Sequence, residues 1–314
     1  MPSKSEIEQQ VTRETERRRS LGVPAAAGGV LYLLSGIIIS STLKDAPTVG
    51  LLQGLAPALR GEANPTVSPR AAEVRFISHH ALPLIAGSAL AAIAIGALTL
   101  VLLLLLDATR FRRPETWRAA HPLVLVGGAG LALLSIAHQA VSLVEAHSFA
   151  VGHNFTNHAV DQALTQSTAN VTMEYLDLLA GLALAVGMIA VMVNARRVGL
   201  IVRWMSILGI IAGVLIFLPL GGATLELVPS FWLVAMGIMF MGRLPSGEPP
   251  AWDAGESRPW PSRMESREQQ AVEGQGSSAG GSALSAGRGD VAPEPVQPAS
   301  GRSGKRRRKR GARG

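Results

Sequence analysis

The chain has 314 residues, 48% of them hydrophobic but only 4% aromatic, with a formal net charge of +7. It contains no cysteine, which excludes disulfides, thiolate metal centres, zinc-finger structure and cysteine nucleophiles. The mean hydropathy of +0.29 averages two materials: apolar runs between residues 21 and 243, and polar ends.

Residues 1–20 are charged. "SEIEQQVTRETERRRS" reads as a short helix, in which Ser5 and Glu8 fit a capping box and Glu14 stands four residues before Arg18. Six apolar runs follow. A helix needs about 20 apolar residues to cross a hydrocarbon core about 30 Å thick. The first run, 23–43, follows Arg17, Arg18 and Arg19. Its apolar core is too long for a cleaved signal peptide and no A-x-A site follows, so it is expected to be an uncleaved anchor. The loop 44–81 contains "VGLLQGLAPAL", which either lies in the interface plane or packs on the bundle.

The second run, 82–106, holds 25 residues without a charge. The third is 122–144 and the fourth 176–193. The fifth, 201–222, includes Arg203 near its start, and the short sixth, 227–242, either crosses or re-enters. The runs are continuous rather than alternating, which excludes a membrane barrel. The expected fold is all-α: a polytopic transmembrane helix bundle of about six spans within 21–243.

Six spans would place 25 of the 29 lysines and arginines on one side and Lys44, Arg60, Arg70 and Arg75 on the other. Positive loops mark the cytoplasmic face, so both termini are expected there, in a plasma membrane. The Ala-, Gly- and Arg-rich composition suits a high-GC bacterium. The glycosylation sequons at Asn154 and Asn170 would matter only in a eukaryotic secretory host.

Residues 244–314 are rich in Pro, Gly, Ser and charge, and are expected to form a disordered cytoplasmic tail. Its basic cluster, Lys305, Arg306, Arg307, Arg308, Lys309 and Arg310, suits anionic lipid headgroups, at about 1 kcal/mol per basic residue near the surface. The same run suits RNA phosphate, as on insertases that dock ribosomes.

Ionisable residues inside the runs are few, which argues against a relay of protonatable groups across the bilayer but leaves a carrier of apolar solutes open. Asp177 and Glu226 fall at outer ends, as do six of the seven histidines. His138 and Glu145 are seven residues apart, on one helix face, with His147 just beyond. With His79 and His80 at the mouth of the second run they are the candidate ligands for a metal, although no H-x₃-H or H-E-x-x-H spacing is present. Facing histidines, His138 with His79 or His80, are the alternative for a haem. The plainer expectation is no cofactor: His138 hydrogen-bonds a neighbouring helix and the other histidines are solvated. No G-x-S-x-G or G-x-x-x-x-G-K-[ST] supports an enzyme. Gly209 and Gly213, and Ala92 and Gly96, have the four-residue spacing that lets helices approach, within one bundle or between copies in a homo-oligomer.

"GGVLYLLSGIII", a long outer loop, and "ARRVGLIVRWMSILGIIAGVL" are similar to a family of bacterial multi-pass membrane proteins without an assigned activity. Gly29, Leu31, Tyr32, Leu33, Arg197, Leu200, Arg203 and Trp204 carry the resemblance, over a layout of about 20–242. The histidine-rich loop and the tail depart from it. The resemblance implies class and topology only. The expectation is an integral membrane protein that binds a lipid, a solute or a partner in the membrane. The alternatives are a transporter or channel component for a small, weakly charged solute, and a metal- or haem-bearing redox or sensor protein.

Overall fold

The structure, a computed structural model, describes residues 4–47, 49–50, 59, 67–152, 155–218, 223–244 and 247–260. The basic cluster 305–310, His153, Asn154 and most of "VGLLQGLAPAL" lie outside the described residues. Among the described residues every regular element is a helix and there is no strand. We number the helices α1 (Lys4–Lys44), α2 (Ala71–His79), α3 (Ala81–Arg112), α4 (Ala120–Val151), α5 (Asn157–Asp161), α6 (Thr168–Val198), α7 (Arg203–Phe217), α8 (Ala223–Phe240) and α9 (Pro250–Ala254). A single π-helical turn, Gln162–Gln166, joins α5 to α6.

Local sequence sets the ends of these helices. The Ser167 side chain accepts a hydrogen bond from the Asn170 N–H and caps α6, which stops at Gly199 in the left-handed region (φ +84°). Arg113 and Leu218, each followed by a proline in the sequence, are extended and end α3 and α7. α1 is already helical at Lys4, so Ser5 lies inside it rather than capping it.

The helices antiparallel to one another form a closed ring in the order α1, α3, α4, α6, α7, α8 and back to α1, with α3 also touching α6. Glycines set the closest approaches. A Cβ on Gly22, Gly29 or Gly36 of α1 would strike Met241, Ser230 or Glu226 on or just after α8, and one on Gly237 of α8 would strike Ala26. Between α4 and α6 the relation is reciprocal: Gly127 abuts the Leu184 backbone and Gly187 abuts Val124. Gly209 and Gly213 pack against α6 within the chain, on Met192 and Met188, whereas a Cβ on Gly96 would meet nothing. Small residues of this kind bring backbones into van der Waals range where an apolar solvent gives helices no reason to associate. The ring encloses a core of Leu102, Leu105, Leu184, Met188, Met205, Trp232 and Met236, all fully buried.

Four helices, α1, α3, α4 and the stretch from α5 through α6, are long and apolar enough to cross a membrane. The fifth run gives a shorter helix than expected, 15 residues in α7, while the sixth, expected to be short, gives 18 residues in α8. At 1.5 Å per residue these measure about 22 and 27 Å. The remainder of the fifth run, from Leu218 on, is not helical where described, because Pro219 sets an end to α7. Six full crossings are thus not seen; four long helices and a shorter hairpin are.

The end of the ring at which α1 begins is called proximal here, and the opposite end distal. The packed chain reaches Trp260, past the boundary expected at residue 243. Residues 247–260 fold across the proximal end, where Trp252 is buried and donates its indole N–H to the Leu200 carbonyl at 2.9 Å. The Arg258 N–H bonds the Val198 carbonyl, and the Arg258 carbonyl occupies the space a side chain on Gly199 would need. Arg112 donates through Nε and Nη2 to the Ala251 carbonyl and faces Glu14. Arg18 bonds Glu248 at 3.0 Å, and both arginines lie over the Trp252 ring. The i,i+4 pairing of Glu14 with Arg18 expected from sequence is therefore replaced: each pairs with a distant residue.

Candidate functional site

At the distal end, α4 and α6 meet along a polar seam. Seven-residue spacing recurs on both: His138 and Glu145 on α4, Asn170 and Asp177 on α6. Because the helices are antiparallel, His138 meets Asp177 and Glu145 meets Asn170. His138 Nδ1 lies 2.5 Å from Asp177 Oδ2, and both side chains are partly buried. Asn170, 3% exposed, donates Nδ2 to Glu145 Oε2 at 2.5 Å and accepts from the Ser142 hydroxyl at 3.2 Å. A turn away, Ser88 of α3 donates to the Gln139 side-chain oxygen at 3.5 Å. These pairs tie helix to helix across the seam, and Asp177 Oδ1 is left buried without a hydrogen-bond partner.

Beyond this seam the chain forms a cap. α2, the last turns of α4, α5 and the π turn share a small apolar cluster of Ala71, Val74, Ala146, Phe149, Val160 and Ala163. Arg75 lies 4.2 Å from the Phe155 ring centre, and Arg70 reaches Glu73 and Asp161. Between α4 and the π turn the cap leaves a recess of about 410 Å³, lined by Glu145, Ser148, Phe149, Gln162, Ala163 and Ser167 among others. π turns are rare and recur at functional sites, since the extra residue re-aims the side chains around it. Here that turn supplies Gln162 and Ala163 to the wall.

The recess has one charge. Among the described residues Glu145 forms no ion pair, and its side chain accepts a hydrogen bond from the Asn170 amide. One carboxylate oxygen is thus held by a buried donor, while no cation among the described residues pairs with the group. A partly buried carboxylate in that state favours a positively charged occupant.

The sequence candidates for a metal are not brought together. His80 stacks on Phe76 at 3.9 Å and bonds the Phe76 carbonyl within its own turn. His79 and His147 are exposed, and His138 faces Asp177 rather than either histidine of the α2–α3 corner. Among the described residues no three His, Asp or Glu side chains converge as a metal site would require. Sequence reading placed Asp177 at the outer start of a run but missed it as the partner of His138; the matched heptad spacing on the two helices was the available signal. It also placed Glu226 at an outer end. Glu226 lies in the first turns of α8, pressed against Gly36 of α1.

The middle of the ring contrasts with this end. A narrow void there is lined by Ala94, Leu98, Leu131, Leu184 and Leu233, with Tyr32 as its polar member. Comparison with protein families, with curated proteins and with solved structures finds no match to this chain.

Proposed function

We propose that this chain is an integral membrane protein that binds a small solute at the distal end of its helix ring, and that the solute is an organic cation. The outward faces of the long helices support the membrane setting: Val30 and Leu34 of α1, Val126 and Leu133 of α4, and Leu179 and Leu182 of α6 are all exposed. An apolar belt of this extent is what a bilayer covers and water does not. With the lysines and arginines concentrated at the proximal end, that end is cytoplasmic and the recess faces the other side.

The observation that carries the binding reading is Glu145. It is oriented by a buried asparagine, has no cationic partner among the described residues, and lines a recess with hydroxyls, an amide and the Phe149 ring. A carboxylate beside an aromatic face suits an ammonium group on a small apolar body. The recess begins where the third apolar run ends, so the solute arrives from water. A void lined almost wholly by apolar side chains lies between this site and the proximal end, which favours capture over passage of a charged solute.

Calorimetry of the purified full chain with choline, tetramethylammonium and spermidine tests the reading. The neutral isostere 3,3-dimethylbutanol is the control. At least one amine binds better than the isostere, and Glu145→Gln lowers its affinity roughly 10–100-fold, the range for loss of a charged hydrogen bond. Glu174→Gln, an exposed carboxylate outside the recess, leaves it unchanged. Equal binding of the isostere, or full affinity in Glu145→Gln, rejects the proposal.

A further inference from the structure

A second recess, of about 590 Å³, lies at the proximal end of the ring, in the α3–α4 connection. Its lining is Arg110, Pro114, Thr116, Arg118 and His121. Two guanidinium groups and an imidazole therefore border one concavity, and no carboxylate does. The one acidic residue of the connection, Glu115, is 85% exposed and lies 3.9 Å from Arg113, outside the recess.

Arg110 is held in place. Its Nη2 donates to the Arg118 carbonyl at 2.9 Å, so the guanidinium is tied to the loop it faces. Thr116 is 4% exposed and its hydroxyl donates to the Arg113 carbonyl at 2.6 Å, which fixes the turn beneath. None of Arg110, Arg118 and His121 forms an ion pair with a described residue. The charges are left for something else.

The depth of the recess says what that is. The second apolar run ends at Leu106, about one helical turn before Arg110, and the third begins at Pro122, directly after His121. Trp117, in the same connection, is 49% exposed. Tryptophan is enriched at the headgroup layer of membrane proteins. Basic pockets between helices on the cytoplasmic side take lipid phosphates.

We propose that this recess binds the phosphodiester of an anionic phospholipid of the cytoplasmic leaflet, with Arg110 and Arg118 on the phosphate oxygens. Arginine presents paired donors to such a group, which gives geometry as well as charge. The proposal rests on the membrane setting proposed above, but not on the solute at the distal end. It also differs from attraction by the basic residues 305–310, which needs no fixed geometry.

The test is native mass spectrometry of the full chain, released from micelles carrying phosphatidylglycerol or phosphatidylcholine. It is preceded by exposure to about 0.5 M salt, which shortens screening to a few ångströms and suppresses diffuse attraction. One phosphatidylglycerol is retained per chain in preference to phosphatidylcholine. Arg118→Gln, an exposed side chain whose loss leaves the fold intact, weakens retention roughly fivefold, the factor equivalent to ~1 kcal/mol per basic residue. Arg110→Gln does the same, and Arg113→Gln does not. Three outcomes overturn the proposal: no preference for the anionic lipid, a preference unaltered in Arg118→Gln and Arg110→Gln, or displacement of the lipid by millimolar inorganic phosphate, which marks a site for the free anion. Flotation of the chain with liposomes is read separately. A chain that fails to float removes the membrane setting itself, whereas one that floats without lipid preference removes only this site.

Discussion

Arg112 and Glu14 pair across 98 residues of sequence with their side chains 0% and 4% exposed. Oε1 of Glu14 accepts from Nη1 at 3.0 Å, and Oε2 lies 2.8 Å from Nη2. Gln10 adds a third contact to the same carboxylate. Two charges withdrawn from water so completely offset each other only while both are present.

Glu14→Leu therefore costs about 3–5 kcal/mol, because it strands a buried guanidinium. Arg112→Met costs a similar amount. The double variant costs clearly less than the sum, since the stranded charge goes with its partner. Thermal unfolding of the purified protein in one detergent checks all three; strict additivity would show the pair to be uncoupled.

Trp252 fixes how far the folded part of the chain extends. Trp252→Ala removes a fully packed ring and its bond to Leu200, at about 3–5 kcal/mol. A chain stopped after Leu244 melts lower by a comparable margin, while one stopped after Trp260 melts with the full chain. Equal melting of the two truncations would contradict the packing of 247–260.

The glycine seams predict opposite results for the same kind of change. A Cβ on Gly29 would sit 2.6 Å from the Ser230 carbonyl oxygen and from a Val234 methyl, so Gly29→Ala pushes α1 off α8 at about 1–3 kcal/mol. Gly96→Ala meets nothing within 4 Å and leaves the melting temperature unchanged or slightly raised, since alanine favours helix by about 1 kcal/mol.

The absence of native cysteine makes the disposition of the ring directly measurable. Glu115→Cys and Asp253→Cys, both exposed at the proximal end, react with an impermeant maleimide from the same side of the membrane. His147→Cys, exposed at the distal end, reacts only from the other. Labelling of Glu115→Cys and His147→Cys from one side would mean that α4 does not cross.

Much of the fold is legible in the sequence because a bilayer demands continuous apolar length, and the second, third and fourth runs each fall inside a long helix. What surrounds those runs is harder to read. Residues 4–20 look like a solvated charged helix, yet Glu14 and Arg18 are buried by partners far along the chain, which no local pattern announces. The fifth run looks long enough to cross, but its last residues include a proline that stops α7 at Phe217. Small-residue spacing picks out Gly96, where an added Cβ would meet nothing within 4 Å, and passes over the seven-residue series Gly22, Gly29 and Gly36, which sets the approach to α8. At the distal end the sequence directs attention to histidines. The groups that shape the site there are Glu145 and Asn170, and Asn170 first looks like part of a sequon.

The cross-connections at the proximal end also set an order of assembly. Arg18 is separated from Glu248 by 230 residues, so it is synthesised long before the group that satisfies it. Every ring helix is made before residues 247–260 emerge to lie across them. The proximal closure therefore cannot form until those residues are made, and a chain stopped before them carries Arg18 without Glu248 and Arg112 without the Ala251 carbonyl. Long-range closures of this kind are slow, because the entropy of joining distant segments is lost before any contact rewards it. A chain shortened before residue 247 would also lack the Trp252 ring that covers both arginines, so the last folded segment decides whether the first helix is satisfied.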